Sequence, residues 1–186
     1  KIKSVDDLVK YARENPKKVT INGAGLYVGH HIATLQLQKA ADIKLSYIPE
    51  KGGTEAVQNV LSGKVMAGFN NLADVYRSRD RLTVLAIADV KRHEYLPDVP
   101  TLLELGYNVD DTSVNFRGYA LPKGVDQAIV DKAAGIVPAM FNDPEVVRRM
   151  KESGSPMLVL SREQVQEMFR QKQATLKPLL EELRKN

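Results

Sequence analysis

The chain of 186 residues contains no cysteine, and aromatic residues make up only 6% of it. The lack of cysteine excludes disulfide bonds, thiolate metal sites and cysteine nucleophiles, and it fits an oxidising compartment as well as a reducing one. No apolar run approaches the ~20 residues that a membrane-spanning helix needs. No basic run carries interleaved aromatic residues, so a nucleic-acid partner is not expected.

The remaining composition describes a protein that can bury a core. Hydrophobic residues make up 43% of the chain, and 27 lysine and arginine residues are interleaved with 23 acidic ones for a formal net charge of +4. This balance favours anionic partners only weakly. The opening Lys1-Ile2-Lys3 runs directly into a helix start rather than into a signal peptide, so we expect the segment to come from inside a longer protein.

Short apolar strands alternate with amphipathic helices over residues 1–120, a pattern that predicts an α/β lobe with parallel strands. Ser4-Val5-Asp6-Asp7 and Thr101-Leu102-Leu103-Glu104 each resemble a capping box that opens a helix. The run at 82–88 is almost entirely apolar and predicts a central strand buried on both faces. Strands are expected at Val19–Ile21, Ile43–Ile48, Val65–Phe69, Leu82–Ala88 and Val114–Leu121.

The chain becomes mainly helical after Pro122. Helices are predicted from Asp126 to Phe141, from Asp143-Pro144 to Ser153, and from Ser161 to Lys185, with one strand at Met157–Leu160. This tail has little sheet of its own, so we expect it to need a partner surface.

Three predicted strands end in loops of similar composition. In a parallel sheet such loops meet at one edge, where ligands bind. Glycine lets the backbone approach a ligand closely, and the helix that follows adds unpaired N–H donors and a partial positive charge. An anion could be held there without a charged side chain. Thr54 either offers a hydroxyl or caps its helix, and Asn70 and Asn71 either bind a ligand or form a turn. The loops are Asn22-Gly23-Ala24-Gly25, Gly52-Gly53-Thr54 and Asn70-Asn71.

Other chemistries fit these loops less well. The dinucleotide fingerprint G-x-G-x-x-G would need glycine where Val28 stands. The side chains of His30 and His31 would diverge by ~100° on a helix, and His93 lies in a charged stretch, which argues against a metal site. We expect His30 to face the ligand cleft and His31 to face solvent or core. Without a cysteine or a G-x-S-x-G sequence, no catalytic residue, metal ion or cofactor is predicted.

The order of sequence blocks resembles one protein family from residue 1 to residue 186. The chain is similar to the solute-binding receptors of tripartite tricarboxylate transporters, the Bug family of bacterial periplasmic proteins. The most specific block runs from Leu96 to Gly106 and contains Pro97-Asp98-Val99-Pro100-Thr101. The other blocks are the glycine turn ending in two histidines, Ile48-Pro49-Glu50-Lys51-Gly52-Gly53, Leu61-Ser62-Gly63-Lys64-Val65, Leu85-Ala86-Ile87-Ala88, Phe116-Arg117-Gly118-Tyr119-Ala120-Leu121-Pro122-Lys123-Gly124 and Asn142-Asp143-Pro144-Glu145-Val146.

This resemblance implies a periplasmic-binding-protein-like α/β fold whose two lobes close on a small carboxylate. Residues 1–118 would form the second lobe. Residues 119–186 would form the hinge, with Gly118–Leu121 as part of it, and the C-terminal helical part of the first lobe, whose N-terminal portion is absent. The family works in the periplasm, is exported with a signal peptide and delivers its ligand to membrane permease subunits. We expect a monomer without enzymatic activity or cofactor.

The resemblance also implies ligand contacts, mostly through backbone N–H groups. Tyr27, where relatives carry a small residue, would narrow the pocket or offer an aromatic face, and Glu50 stands where relatives usually have tyrosine. Two other functions remain open: the effector domain of a transcription regulator and an α/β enzyme. The predicted ligand-binding residues are Asn22, Gly23, Ala24, Gly25, Tyr27, His30, Gly52, Gly53, Thr54 and Asn70.

Overall fold

The structure is a computed structural model that describes residues 2–183, with side chains described to residue 181. The chain divides into two compact units, Lys1–Asn115 and Phe116–Asn186. The first unit holds the sheet and most of the buried core, and the second consists of helices. The boundary lies three residues before residue 118, the predicted end of the second lobe, and the assignment of these units to receptor lobes stays a prediction.

Helix α1 spans Val5–Glu14 and begins at the predicted capping box. The Asp7 N–H donates to Ser4 Oγ at 3.0 Å, and the Ser4 N–H donates to Asp7 Oδ2 at 3.1 Å. Both bonds satisfy amide donors that a helix start otherwise leaves unpaired. The helix buries a stripe of apolar side chains against the sheet unit: Val5, Leu8, Val9 and Ala12.

Replacing Ser4 with alanine removes the acceptor for the Asp7 N–H and should destabilise the first unit by about 1 kcal/mol. Amide exchange of α1, measured by NMR on the whole chain, checks this value. Ser62→Ala is the matched control because the Ser62 hydroxyl is exposed and donates to a carbonyl at a helix end. Equal free energies of opening for the two variants would contradict a stabilising cap.

The sheet has three parallel strands in the order β2-β1-β3. Strand β1 is Thr20–Ala24 and β2 is Ser46–Glu50, and they pair along their whole length from Thr20↔Ser46 to Ala24↔Glu50. Strand β3, Ala67–Gly68, pairs with Ile21 and Asn22 over two residues only. The predicted parallel α/β arrangement is confirmed, and all three strands end at the same edge.

Three helices follow these strands: α2 at Gly29–Ala41, α3 at Gly53–Leu61 and α4 at Leu72–Ser78. Each begins three to five residues after its strand ends, which places its N-terminus at that edge. Helix α2 buries most of its length, and its apolar residues join those of α1 and β1 in the core. Burial of these side chains is the main favourable term in folding this unit.

Three predicted strands are wrong. Within the described residues, Leu82–Ala88 forms a single bridge, Ile87↔Thr101, and neither Val114–Leu121 nor Met157–Leu160 forms a strand. Leu85, Ala86 and Ala88 still pack against the core while partly exposed. An apolar run indicates burial, but a strand also needs a neighbouring strand for its backbone groups. Within 82–88 only Ile87 forms a bridge, and its N–H donates to the Pro100 carbonyl at 2.9 Å.

The predicted helix at Thr101 is also wrong, although its capping box forms. The Thr101 N–H donates to Glu104 Oε2 at 2.7 Å, and the Glu104 N–H donates to Thr101 Oγ1 at 3.0 Å. The segment then makes turns and closes at Gly106, whose φ is 85°. The local signal is therefore real, but the chain does not continue into a helix after it.

The second unit contains α5 at Gln127–Phe141, α6 at Pro144–Glu152 and α7 at Arg162–Leu183. These bounds agree with the predicted helices, and the α7 prediction beyond residue 183 lies outside the described residues. Gly154 is the one buried residue among 116–181. Large apolar side chains such as Tyr119, Ile129 and Phe169 are more than half exposed. None of the helices at residues 2–183 is long and apolar enough to span a membrane.

Candidate site at the carboxyl edge of the sheet

The loops that leave the three strands lie together at the carboxyl edge of the sheet. We name them the first, second and third strand-end loops: residues 25–28 after β1, residues 51–52 after β2, and residues 69–71 after β3. Their proximity follows from the parallel pairing of β1 with both neighbours. The sequence predicted this grouping, but it placed Asn22, Gly23 and Ala24 in the first loop, whereas they continue β1. Ligand contact by the individual residues stays a prediction.

Asn22 lies inside the sheet unit with 0% of its surface exposed. Its Nδ2 donates to the Ala56 carbonyl at 3.0 Å and to Glu50 Oε1 at 3.2 Å. Its Oδ1 has no hydrogen-bond partner and faces Gly68, where an added Cβ would lie 2.3 Å away. The side chain therefore ties β1 to α3 and β2, and its contact with a ligand stays a prediction.

Backbone donors at the end of β1 and the start of the first loop are used inside the fold. The Ala24 N–H donates to His30 Nδ1 at 2.9 Å, and the Gly25 N–H donates to the Glu50 carbonyl at 2.9 Å. A backbone N–H that already has a good acceptor is less available to an anion. Gly23 is buried, and its Cα packs closely on His30.

Tyr27 stands at the tip of the first loop in the left-handed region, with φ of 59° and 66% of its surface exposed. Its N–H donates to His31 Nδ1 at 3.1 Å, and its ring meets that of His31 edge-on at 5.4 Å. His31 is also 4.4 Å from the ring of Tyr47, whose hydroxyl donates to the Gly25 carbonyl at 2.9 Å. Burial, reinforced by the Glu50 charge, raises the pKa of Tyr47 to about 12, which keeps this hydroxyl protonated.

His30 is buried, with 6% exposure, and both ring nitrogens are engaged. Nδ1 accepts from Ala24, and Nε2 lies 3.1 Å from Asn71 Oδ1. Burial lowers the pKa of His30, although Asn71 and the Asp74 charge act in the opposite direction. The predicted cleft-facing imidazole is thus held inside the loops. His31, predicted to face solvent or core, is half-buried, and burial lowers its pKa as well.

The second loop leads into α3 with Gly52 at the N-cap and no side-chain cap. Thr54 is exposed in the first turn, so the capping alternative for its hydroxyl is wrong. First-turn N–H groups have no intrahelical acceptor, and here they include Gly53 and Thr54. The Asp74 carboxylate approaches Gly53: a Cβ on Gly53 would lie 2.8 Å from Asp74 Oδ2. Its Oδ1 pairs with Arg77 at 2.5 Å, which offsets the negative charge.

The third loop carries the two adjacent asparagines. Asn70 is half-buried; its Oδ1 has no partner, and its Nδ2 lies beside Gly68. Asn71 stands at the N-cap of α4, yet its side chain does not cap that helix. Instead its Oδ1 faces His30 and accepts from Asn115 Nδ2 at 2.6 Å. The Asn71 side chain therefore does not form the predicted turn; it bonds His30 and Asn115 instead.

Sequence reasoning missed two residues that organise this edge, Tyr47 and Asn115, and it considered Asn71 only as a ligand contact or a turn residue. Asn71 lies in the Asn70-Asn71 pair after the third predicted strand, so the two adjacent asparagines marked its position in the sequence. Nothing in the sequence connects Asn115 with Asn71, because the contact spans 44 residues. Among the residues that the structure describes, no three histidine or acidic side chains are grouped as a metal ion would require.

Comparison with known proteins decides the family. The family model described as "Tripartite tricarboxylate transporter family receptor" matches residues 1–184. The chain belongs to this receptor family. BugT of Bordetella pertussis is 33% identical over 132 residues, covering 70% of the chain and 40% of that protein. The family is one of periplasmic solute-binding receptors rather than enzymes.

Solved structures of similar fold include two with bound dicarboxylates. A protein of R. palustris with adipate superposes with a TM-score of 0.78 at 21% identity, covering 97% of this chain and 60% of that one. MatC from Rhodopseudomonas palustris with bound malate superposes with a TM-score of 0.77 at 19% identity, covering 95% of this chain and 62% of that one. At this identity the likeness establishes the periplasmic-binding-protein fold. The chain spans about 60% of these structures and 40% of BugT.

Proposed function

We propose that the protein containing this chain is a periplasmic receptor that captures a small carboxylate and delivers it to permease subunits of a tripartite tricarboxylate-type transporter. It acts as a monomer, without catalysis and without a cofactor. The observation that carries the proposal is the meeting of three glycine- and asparagine-rich loops at one sheet edge, in a chain of this receptor family. Two relatives in fold hold adipate and malate, which makes dicarboxylates the first ligands to test.

We place the carboxylate contact at the start of α3. Gly53 and Thr54 present N–H groups without intrahelical acceptors, and the helix dipole adds partial positive charge there. Gly52, in extended backbone with open space beside its Cα, leaves the approach clear. The Ala24 and Gly25 N–H groups are already engaged, so the first loop would contribute mainly its shape and the exposed Tyr27.

The lobe assignment is part of the same proposal. Residues 1–118 form one α/β lobe, and residues 119–186 form the hinge and the C-terminal helical part of the other, completed by chain that the longer relatives possess. The exposed apolar side chains of α5 and α7, such as Ile129, Ile136 and Phe169, support this division because they would pack in a complete lobe.

Calorimetric titration of the full-length protein that contains this chain with malate and adipate tests the function. Binding should be saturable and should leave the acid unchanged. Adipamide, the uncharged diamide of adipate, is the matched control and should not bind, because helix-start amides favour negative charge. Absence of heat from every dicarboxylate, or equal binding of adipamide, would contradict an anion receptor.

Gly53→Pro should weaken dicarboxylate binding about tenfold or more, the value of one hydrogen bond to a charged group. Proline is tolerated at the first helical position, so α3 is retained while one N–H is lost. Gly53→Ala is the matched control, since it brings a Cβ to the same place beside Asp74 but keeps the N–H. Calorimetry on both variants provides the measurement, and equal affinities would remove the second loop from the binding site.

A further inference from the structure

A single imidazole connects the end of β1 with the third strand-end loop. His30 Nδ1 lies 2.9 Å from the Ala24 N–H, which can only donate, so Nδ1 carries no proton. The proton of the neutral ring is therefore on Nε2, which donates to Asn71 Oδ1 at 3.1 Å. The two bonds fix one tautomer and join the end of β1 to the third loop.

Asn71 extends this connection to a further segment. Its Oδ1 accepts from Asn115 Nδ2 at 2.6 Å as well as from His30, so two donors face one oxygen. Asn115 follows the short 3-10 helix at Asp111–Ser113, which packs beside the start of α2: a Cβ on Gly29 would lie 2.2 Å from the Ser113 carbonyl oxygen. His30 thus stands at the centre of a network joining three parts of this edge.

The sheet alone does little to hold the third loop in place. Strand β3 pairs with β1 through two residues, Ala67 and Gly68. Beyond them, the Phe69 N–H donates to the Asn22 carbonyl at 3.0 Å, and the side-chain network begins at Asn71. His30 itself cannot shift freely, because its Cβ packs against the Cα of Gly23.

We propose that neutral His30 is a positioning residue that holds the third strand-end loop against the end of β1 in its ligand-competent arrangement, and that protonation of its ring releases this loop and weakens ligand binding. The part that concerns binding rests on the proposed function. The loop arrangement itself can be measured without a ligand.

The chemistry of the ring gives the direction of the pH effect. Protonation at Nδ1 would set two hydrogens against each other at Ala24, because imidazolium only donates. The titratable groups around the ring are Asp74 on α4, Tyr47 on β2 and the neighbouring His31. Asp74 favours the charged ring, Tyr47 stays neutral, and burial of His30 has the largest effect and lowers its pKa.

Because the folded pKa lies below the unfolded value near 6.5, the unfolded chain binds the proton first. The contribution of His30 to loop stability is complete above about pH 6.5 and is lost as the pH falls toward the folded pKa. The linkage therefore predicts a plateau at neutral pH and a decline on acidification.

Two variants test the two hydrogen bonds of the His30 ring one at a time. In His30→Asn the amide oxygen can occupy the position of Nδ1 and accept from Ala24, whereas in His30→Gln the amide nitrogen can occupy the position of Nε2 and donate to Asn71. Neither side chain titrates. His31→Gln is the matched control, because His31 is adjacent and its pKa is also lowered by burial, yet it contacts Tyr27 and Tyr47 instead.

Amide exchange of Ala24, measured by NMR on the whole chain at pH 7.5 and pH 5 and corrected for intrinsic rates, is the first readout. Protection of the Ala24 amide should fall about tenfold on acidification in the unmodified chain and in His31→Gln. A tenfold change corresponds to the loss of about one hydrogen bond. Protection should stay high at both pH values in His30→Asn and low at both in His30→Gln. Ring nitrogen shifts should show the Nε2–H tautomer at pH 7.5.

The second readout is malate and adipate affinity at the same two pH values. We expect affinity to fall with acid in parallel with Ala24 protection, and this dependence should disappear in both His30 variants. Protection in His30→Gln equal to that of the unmodified chain would overturn the positioning role, as would an Nδ1–H tautomer. Constant affinity despite loss of protection would overturn the link to binding. Failure of both acids to bind at pH 7.5 would count against the proposed function, while exchange still decides the role of His30.

Discussion

Gly23→Ala is expected to destabilise the sheet unit by about 3 kcal/mol and to disrupt the first strand-end loop. The added Cβ would lie 2.3 Å from His30 Cβ and 2.8 Å from Tyr47 Oη, distances that no packed side chain adopts. Overfilling a tight core costs about 1–3 kcal/mol, and this position is at the upper end because the methyl group meets a fixed Cβ. Exchange of the β1 amides in the whole chain measures the loss.

The same substitution should also move the His30 ring away from Ala24, so the Ala24 amide should lose protection before the rest of β1. Gly52→Ala is the matched control: Gly52 also follows a strand, but no atom lies within 4 Å of an added Cβ and its φ of −175° suits any residue. As an N-cap change it should cost less than about 1 kcal/mol. An equal loss of stability in Gly23→Ala and Gly52→Ala would show that the His30 side chain moves aside without cost, which would contradict tight packing at Gly23.

Asn22→Asp should destabilise the unit by about 3–5 kcal/mol at pH 7, although it exchanges one NH₂ group for an oxygen. Asn22 Nδ2 donates to the Ala56 carbonyl and to Glu50 Oε1. A carboxylate there would face two acceptors at about the same distances, with 0% of its surface exposed to water. Desolvation and the Glu50 charge would both raise its pKa.

The penalty should therefore depend on pH. A folded pKa above the unfolded value of about 3.9 means that the folded chain keeps the proton longer. Relative to the unmodified chain, stability should improve as the pH falls through the folded pKa. Asn108→Asp, at an exposed position, should change stability by less than about 0.5 kcal/mol at any pH. Exchange of the Ile21 amide between pH 4.5 and 7 provides the measurement, and a pH-independent loss would contradict a buried carboxylate.

The parts of the fold that sequence predicted well are those with local signals. The Ser4 capping box fixes the start of α1, and the existence of β1 and β2 was predicted, although β1 runs three residues and β2 two residues beyond their predicted ends. Alternation of strands and helices then requires parallel pairing, which brings the loops to one edge. That reasoning needs no knowledge of distant contacts.

The missed features depend on distant contacts. The apolar run at 82–88 packs on the core, but its backbone meets a partner only at Ile87, and hydrophobicity does not specify pairing. His30 was predicted to face the ligand cleft, but nothing in the sequence indicated which groups its ring nitrogens bond. Its inward orientation depends on Asn71, which is 41 residues away, and on the room that Gly23 leaves.

Tyr27 has a practical consequence for following the first loop in solution. Its ring is largely exposed at the loop tip, and its backbone already occupies the left-handed region, so a larger ring would meet little new obstruction. The chain contains no tryptophan. An indole placed at position 27 would be the sole tryptophan fluorophore, and a blue shift of its emission would report when solute or protein covers this tip.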